Sequence, residues 1–171
     1  MKLWDELKAE DVMSAPVITL DAEDLLRDAA RTLSEYKISG ALVMDHRGEP
    51  VGVVSLFDIA SHLAGLDRPA GEPGGFYRQS YPKFGDEDDP WTEPEGADEA
   101  PQVETTVEEI MAEGIISVPP DMSLVRVAAT MSEQGIHRVF VAGPGATPQG
   151  LISTMDVLRA LAGQRRAKAT A

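Results

Sequence analysis

From Val12 to Gly65 the chain can be laid over Ile110 to Gly163 without a gap, each position shifted by 98 residues. Gly52-Val53-Val54-Ser55-Leu56-Phe57-Asp58 returns as Gly150-Leu151-Ile152-Ser153-Thr154-Met155-Asp156, and Thr32-Leu33-Ser34-Glu35 as Thr130-Met131-Ser132-Glu133. Met13, Ile18, Leu26, Ala30 and Ile38 recur as Met111, Ile116, Leu124, Ala128 and Ile136. One small unit cannot bury its own apolar face, so two copies must pack on each other. Facing copies leave paired clefts at their junction. That directs attention to a binding module rather than to a single catalytic centre.

Each copy reads β-α-β-β-α. In the first, Val17-Ile18-Thr19-Leu20 is a short β-rich run, and Asp21 to Asp24 supply carboxylates suited to a helix N-terminus. Leu25, Leu26, Ala29, Ala30 and Leu33 then share one helical face. Ala41 to Met44 and Val51 to Val54 are apolar strands joined by a loop from Asp45 to Pro50, and Leu56 to Leu63 form the closing helix. Gly65 is a natural stop. The second copy follows with a strand at Ile115 to Val118 and a stripe of Leu124, Val127, Ala128 and Met131. Strands at Val139 to Ala142 and Gly150 to Ile152 come next, with a final helix whose Met155, Val157, Leu158 and Leu161 are expected to face inward. Continuously apolar strands predict burial on both faces. The expected fold is α/β (α+β): two repeats, 12–65 and 105–163, packed as a pseudo-twofold pair, with flanking segments 1–11 and 164–171.

The insert at 66–104 is of another kind. It holds eleven acidic residues against Arg68, Arg78 and Lys83, most of the chain's net charge of −14. Its Pro- and Gly-rich acidic runs read as disordered. Phe76, Tyr77, Tyr81, Phe84 and Trp91 are nevertheless five of the chain's nine aromatics, and Phe76 to Phe84 is expected to dock on the folded body or on a partner. Met1 to Ala9 reads as a short amphipathic helix through Leu3, Trp4 and Leu7.

The acidic field disfavours nucleic acid and anionic membranes, and Arg165-Arg166-Ala167-Lys168 is too short to reverse it. The absence of Cys excludes disulfides, thiolate catalysis and Cys-ligated metals. His46, His62 and His137 lack metal-ligand spacing, and Gly143-Pro144-Gly145 lacks the lysine of a phosphate-binding loop. No secretory leader or membrane span is apparent, so a cytoplasmic protein is expected.

Ser55 and Asp58, like Ser153 and Asp156, stand at a strand-to-helix junction. Ser at the N-cap with a carboxylate three residues on makes a capping box. The same groups also line the cleft, and the two roles are compatible. This ordered set resembles the CBS domain, named for cystathionine β-synthase, and the chain as a whole resembles a tandem CBS pair (a Bateman module). In the first copy the resemblance rests on Val12-Met13, Val17-Ile18-Thr19, Ile38 to Val43 and Gly52 to Ile59. In the second it rests on Ile110-Met111, Ile115 to Pro119, Gly135 to Val141 and Gly150 to Val157.

The resemblance implies a regulatory module without catalysis or an obligatory cofactor. It would bind AMP, ADP, ATP or S-adenosylmethionine between the repeats, form a homodimer, and relay occupancy to its dimer mate or to a regulated partner. Ser55, Asp58, Ser153 and Asp156 would meet the ribose, since a carboxylate can accept from both vicinal hydroxyls, and the helix N–H groups suit a phosphate. Thr19 and Ser117 would present hydroxyls to base or ribose, although ordinary β-propensity explains them equally. His137 and Arg138 would approach the phosphates; their alternative is a plain surface pair. Ser39-Gly40 stands where His137-Arg138 stands, with Lys37 the nearest cation, so the clefts should differ. The competing expectation is a ligand-free dimerisation or protein-interaction module working through its acidic linker.

Overall fold

A computed structural model of the chain describes residues 6–65, 75–77 and 104–164. The acidic runs, Tyr81, Phe84, Trp91, the basic tail and residues 1–5 of the expected N-terminal helix lie outside the described residues. The first half contains α1 (Ala9–Val12), β1 (Thr19–Asp21), α2 (Leu26–Glu35), β2 (Gly40–Met44), β3 (Pro50–Ser55) and α3 (Leu56–Leu63). The second contains α4 (Val107–Ile110), β4 (Ala112–Glu113), β5 (Ser117–Val118), α5 (Leu124–Glu133), β6 (Arg138–Val141), β7 (Gly150–Ser153) and α6 (Thr154–Leu161). Among the described residues no helix is long and apolar enough to cross a membrane.

The β-α-β-β-α order is present in both halves with matching register. β1 runs parallel to β2 with Thr19 beside Leu42, and β5 parallel to β6 with Ser117 beside Phe140. β2 and β3 are antiparallel with Gly40 opposite Ser55; β6 and β7 repeat this with Arg138 opposite Ser153. Two helical stripes bury as their spacing requires: Leu26, Ala29 and Leu33 on α2, and Leu124, Val127 and Met131 on α5. On α6 Val157 is buried, but Met155, Leu158 and Leu161, expected to face inward, are exposed because nothing among the described residues covers that face. The first strand of each half starts later than its apolar run. Val17 and Ile18 precede β1, following the cis peptide between Ala15 and Pro16.

The segment ahead of each first strand crosses to the other half. Lys8 bridges Ser123 and Ser14 bridges Leu151, while Thr106 bridges Leu25 and β4 pairs Ala112 with Val53. These contacts are 98-residue images of one another. The arms also satisfy helix N–H groups that have no intrahelical acceptor. Leu26 N–H donates to the Thr105 carbonyl at 3.0 Å, and Leu124 N–H to the Leu7 carbonyl at 2.8 Å. Ala9 is buried in a core made largely of the second half, and Val107 in the core of the first. The halves are therefore interlocked rather than merely apposed.

The repeated glycine of the sequence motif has its cause here. A Cβ on Gly52 would stand 2.5 Å from the Ala112 carbonyl oxygen, and a Cβ on Gly150 would run into the Met13 side chain. Only glycine lets the crossing arm lie against the strand.

Candidate functional site

Both Ser-x-x-Asp motifs close capping boxes. Ser55 is the N-cap of α3: its Oγ accepts from Asp58 N–H at 3.2 Å and donates to Asp58 Oδ2 at 2.6 Å, while Ser55 N–H donates to that oxygen at 2.8 Å. Ser153 caps α6 in the same way, with corresponding distances of 3.4, 2.6 and 2.9 Å. Both carboxylates are 6% exposed. Charge-assisted donors and the helix N-terminus compensate that burial. Each carboxylate divides its oxygens: Oδ2 serves the cap, and Oδ1 is turned to partners outside the motif. Asp58 Oδ1 accepts from Gly75 N–H at 3.2 Å, and Asp156 Oδ1 from the Arg159 guanidinium at 3.4 Å.

Gly75-Phe76-Tyr77, from the insert, lies between the two halves. Phe76 and Tyr77 are 2% and 3% exposed. The Phe76 ring stacks on Phe140 with centroids 5.3 Å apart and planes 6° apart, and meets Tyr77 edge-on. Tyr77 accepts twice, from His137 N–H at its carbonyl (2.7 Å) and from Ile116 N–H at its hydroxyl (2.9 Å). Burial pushes the Tyr77 phenol well above its ordinary range, outweighing the Ile116 donation that would favour the phenolate. Burying a side chain of this size is worth about 1.5–3 kcal/mol against leaving it exposed. A hydrogen bond contributes a net of about 0.5–1.5 kcal/mol. With two rings buried and four hydrogen bonds made, the two contributions are of similar size and together hold the segment.

Arg138 spans the junction. Its guanidinium donates to the Phe76 carbonyl at 2.9 Å and to Ser39 Oγ at 2.6 Å, and lies 5.3 Å from the Phe76 ring centroid. Burial lowers its pKa, but an arginine stays protonated, so a positive charge faces three neutral partners. The residue opposite in the repeat, Gly40, makes the room: a Cβ there would be 2.6 Å from Phe76 Cδ2.

The predicted site residues therefore divide. Ser55, Asp58, His137 and Arg138 gather around Gly75-Phe76-Tyr77, with Ser117 next in sequence to Ile116. Ser153 and Asp156 close the cap of α6, and Thr19 is exposed at the start of β1 beside Leu42. His137 and Arg138 are not used together. The His137 imidazole is turned to Thr154 at the start of α6, with Nδ1 and Oγ1 3.4 Å apart, while Arg138 reaches the first half. Lys37 is exposed in a left-handed turn at φ 53°. The expected docking of Phe76 to Phe84 is met by Phe76 and Tyr77, while Tyr81 and Phe84 lie outside the described residues. The signals for it were Gly40 opposite Arg138 and aromatics amid acid. Among the described residues no cluster of His, Asp or Glu is arranged to hold a metal.

The CBS domain family model matches residues 9–65 and 107–163. The chain belongs to the CBS-domain family. Both matches open on the crossing arms, at the first residues of α1 and α4. The pair is 26% identical over 156 residues to the uncharacterized protein MJ1426 of Methanocaldococcus jannaschii, covering 89% of each. It is 24% identical over 156 residues to that organism's L-aspartate semialdehyde sulfurtransferase, covering 91% of this chain and 23% of the relative. The first three curated relatives are longer proteins, of which the chain spans 23%, 40% and 33%.

Solved structures share the fold. The CBS domain pair of protein MJ0100, in complex with 5′-methylthioadenosine and S-adenosyl-L-methionine, has a TM-score of 0.63 at 24% identity, covering 92% of this chain and 97% of that one. CBSX2 in complex with AMP gives 0.62 at 18% identity, covering 91% and 96%. An uncharacterized conserved protein from Pyrococcus horikoshii gives 0.65 at 17%, covering 97% and 98%.

Proposed function

We propose that this CBS pair is a regulatory module that binds an adenosine-containing ligand (AMP, ADP, ATP or S-adenosylmethionine) between its repeats and has no catalytic activity of its own. The observation that carries the reading is the division of Asp58 and Asp156, each with Oδ2 committed to a cap and Oδ1 facing outward beside a helix N-terminus. One carboxylate oxygen with two lone pairs can accept from vicinal hydroxyls, and nearby helix N–H groups suit a phosphate. Support comes from the adenosyl ligands named for the MJ0100 pair and from AMP in CBSX2. Occupancy would shift the packing of the interlocked halves, to be read by a dimer mate or a regulated partner in the cytoplasm. The exposed Leu56, Phe57 and Leu63 on α3, and Met155, Leu158 and Leu161 on α6, supply apolar surface for a homodimer.

A thermal-shift panel of AMP, ADP, ATP, S-adenosylmethionine and a cyclic dinucleotide tests the reading. A ligand at about 100 times its dissociation constant stabilises the fold by about 2.7 kcal/mol. No shift with any of the five would count against a sensor. It would favour the second reading, a protein-interaction module, for which the filling of one cleft by Phe76 and Tyr77 is the specific support.

A further inference from the structure

The two outward carboxylate oxygens have partners of different kinds. On the Asp156 side one partner is the half-exposed Arg159 side chain. On the Asp58 side it is the backbone N–H of Gly75, whose neighbours Phe76 and Tyr77 are buried between the repeats. The segment presents a donor to the carboxylate, a flat ring stacked against Phe140 and lying near the Arg138 guanidinium, and an acceptor to the Ile116 N–H. A nucleoside offers the same three features: ribose hydroxyls that donate, a planar base, and ring nitrogens that accept. Two objects with this pattern cannot occupy the cleft together.

We propose that Gly75-Phe76-Tyr77 is an internal ligand of the Asp58 cleft, so that an adenosyl ligand enters this cleft only by expelling the segment. The inference rests on the adenosyl reading given above and adds a regulation to it: occupancy of the Asp58 cleft is exchanged for release of Gly75-Phe76-Tyr77. Gly75 is fitted to the docked state, whereas Gly40 is also required by the Val54 carbonyl 2.7 Å from where its Cβ would stand. A Cβ on Gly40 would meet Phe76, and one on Gly75 would lie 2.9 Å from both Phe57 Cβ and Ser55 Oγ. The competitor is part of the chain, so the ligand works against an effective concentration on the order of mM for a short tether. The clefts therefore differ in what a ligand meets: a half-exposed arginine side chain on the Asp156 side, and a buried aromatic segment on the Asp58 side.

Isothermal titration of the full-length chain with S-adenosylmethionine and, separately, AMP tests this. The variants are D156A, D156A with F76S and Y77S, and D156A with G75A. D156A leaves the Asp58 cleft as the site measured. G75A dislodges the segment while keeping both aromatics, which covers the case that the double serine variant does not fold. Expected is at least a 10-fold gain in affinity when either displacing change is added to D156A, abolished by further D58A. Saturating D156A with ligand should also speed hydrogen exchange at the His137 amide, whose acceptor is the Tyr77 carbonyl. Unchanged affinity in both displacing variants, or a His137 amide equally protected with ligand bound, overturns the proposal while leaving the adenosyl reading intact. If neither ligand binds any variant or the wild type, the adenosyl reading itself has failed, and this inference with it.

Discussion

Asp58 and Asp156 were legible as helix caps because a capping box is a local device closed across three residues, and both boxes form as the spacing predicts. That Tyr77 docks was legible, but its place was not. Its partners Ile116 and His137 lie far along the chain, and a segment between acidic runs carries no periodicity that points to them. The docked phenol nevertheless has a chemical signature. Its folded pKa is raised above the unfolded value of about 10. Its contribution is therefore fully present below about pH 10 and is lost as pH climbs from there towards the folded pKa. Ultraviolet titration of phenolate should find one of the chain's three tyrosines ionising late, and Y77F should remove that late step. A wild-type titration with no late step would mean that Tyr77 is not docked.

At the scale of elements, periodicity located the helices and strands of both repeats. The crossing arms were missed as crossing, because Val12-Met13 and Ile110-Met111 look identical whether each serves its own half or the other. Only the register of Ser14 on Leu151 and Ala112 on Val53 decides it. The interlock has a mechanical consequence. A fragment of residues 1–70 lacks Val107 from its core and the β4 edge, and a fragment of residues 100–171 lacks Ala9 from its own. Each alone should lack a cooperative thermal transition. Mixing them should restore one, because exchanged arms are complementary surfaces. Two fragments that melt cooperatively in isolation would contradict exchange of the arms as a stabilising feature.

For the whole molecule, the duplication defined the fold, and the departures from it define how the two sides differ. Arg138 opposite Gly40 was readable as an asymmetry of charge. In the folded chain it is equally an asymmetry of space, since glycine on one side admits a phenyl ring under the arginine of the other. On the proposal above, two chemically alike carboxylate clefts are unequal in access. Equilibrium dialysis with labelled AMP and S-adenosylmethionine against wild type, D58A and D156A tests it most directly. Unequal access predicts a tighter site in the wild type that D156A removes and D58A leaves nearly unchanged. Equal loss from both variants, or loss only from D58A, would contradict it.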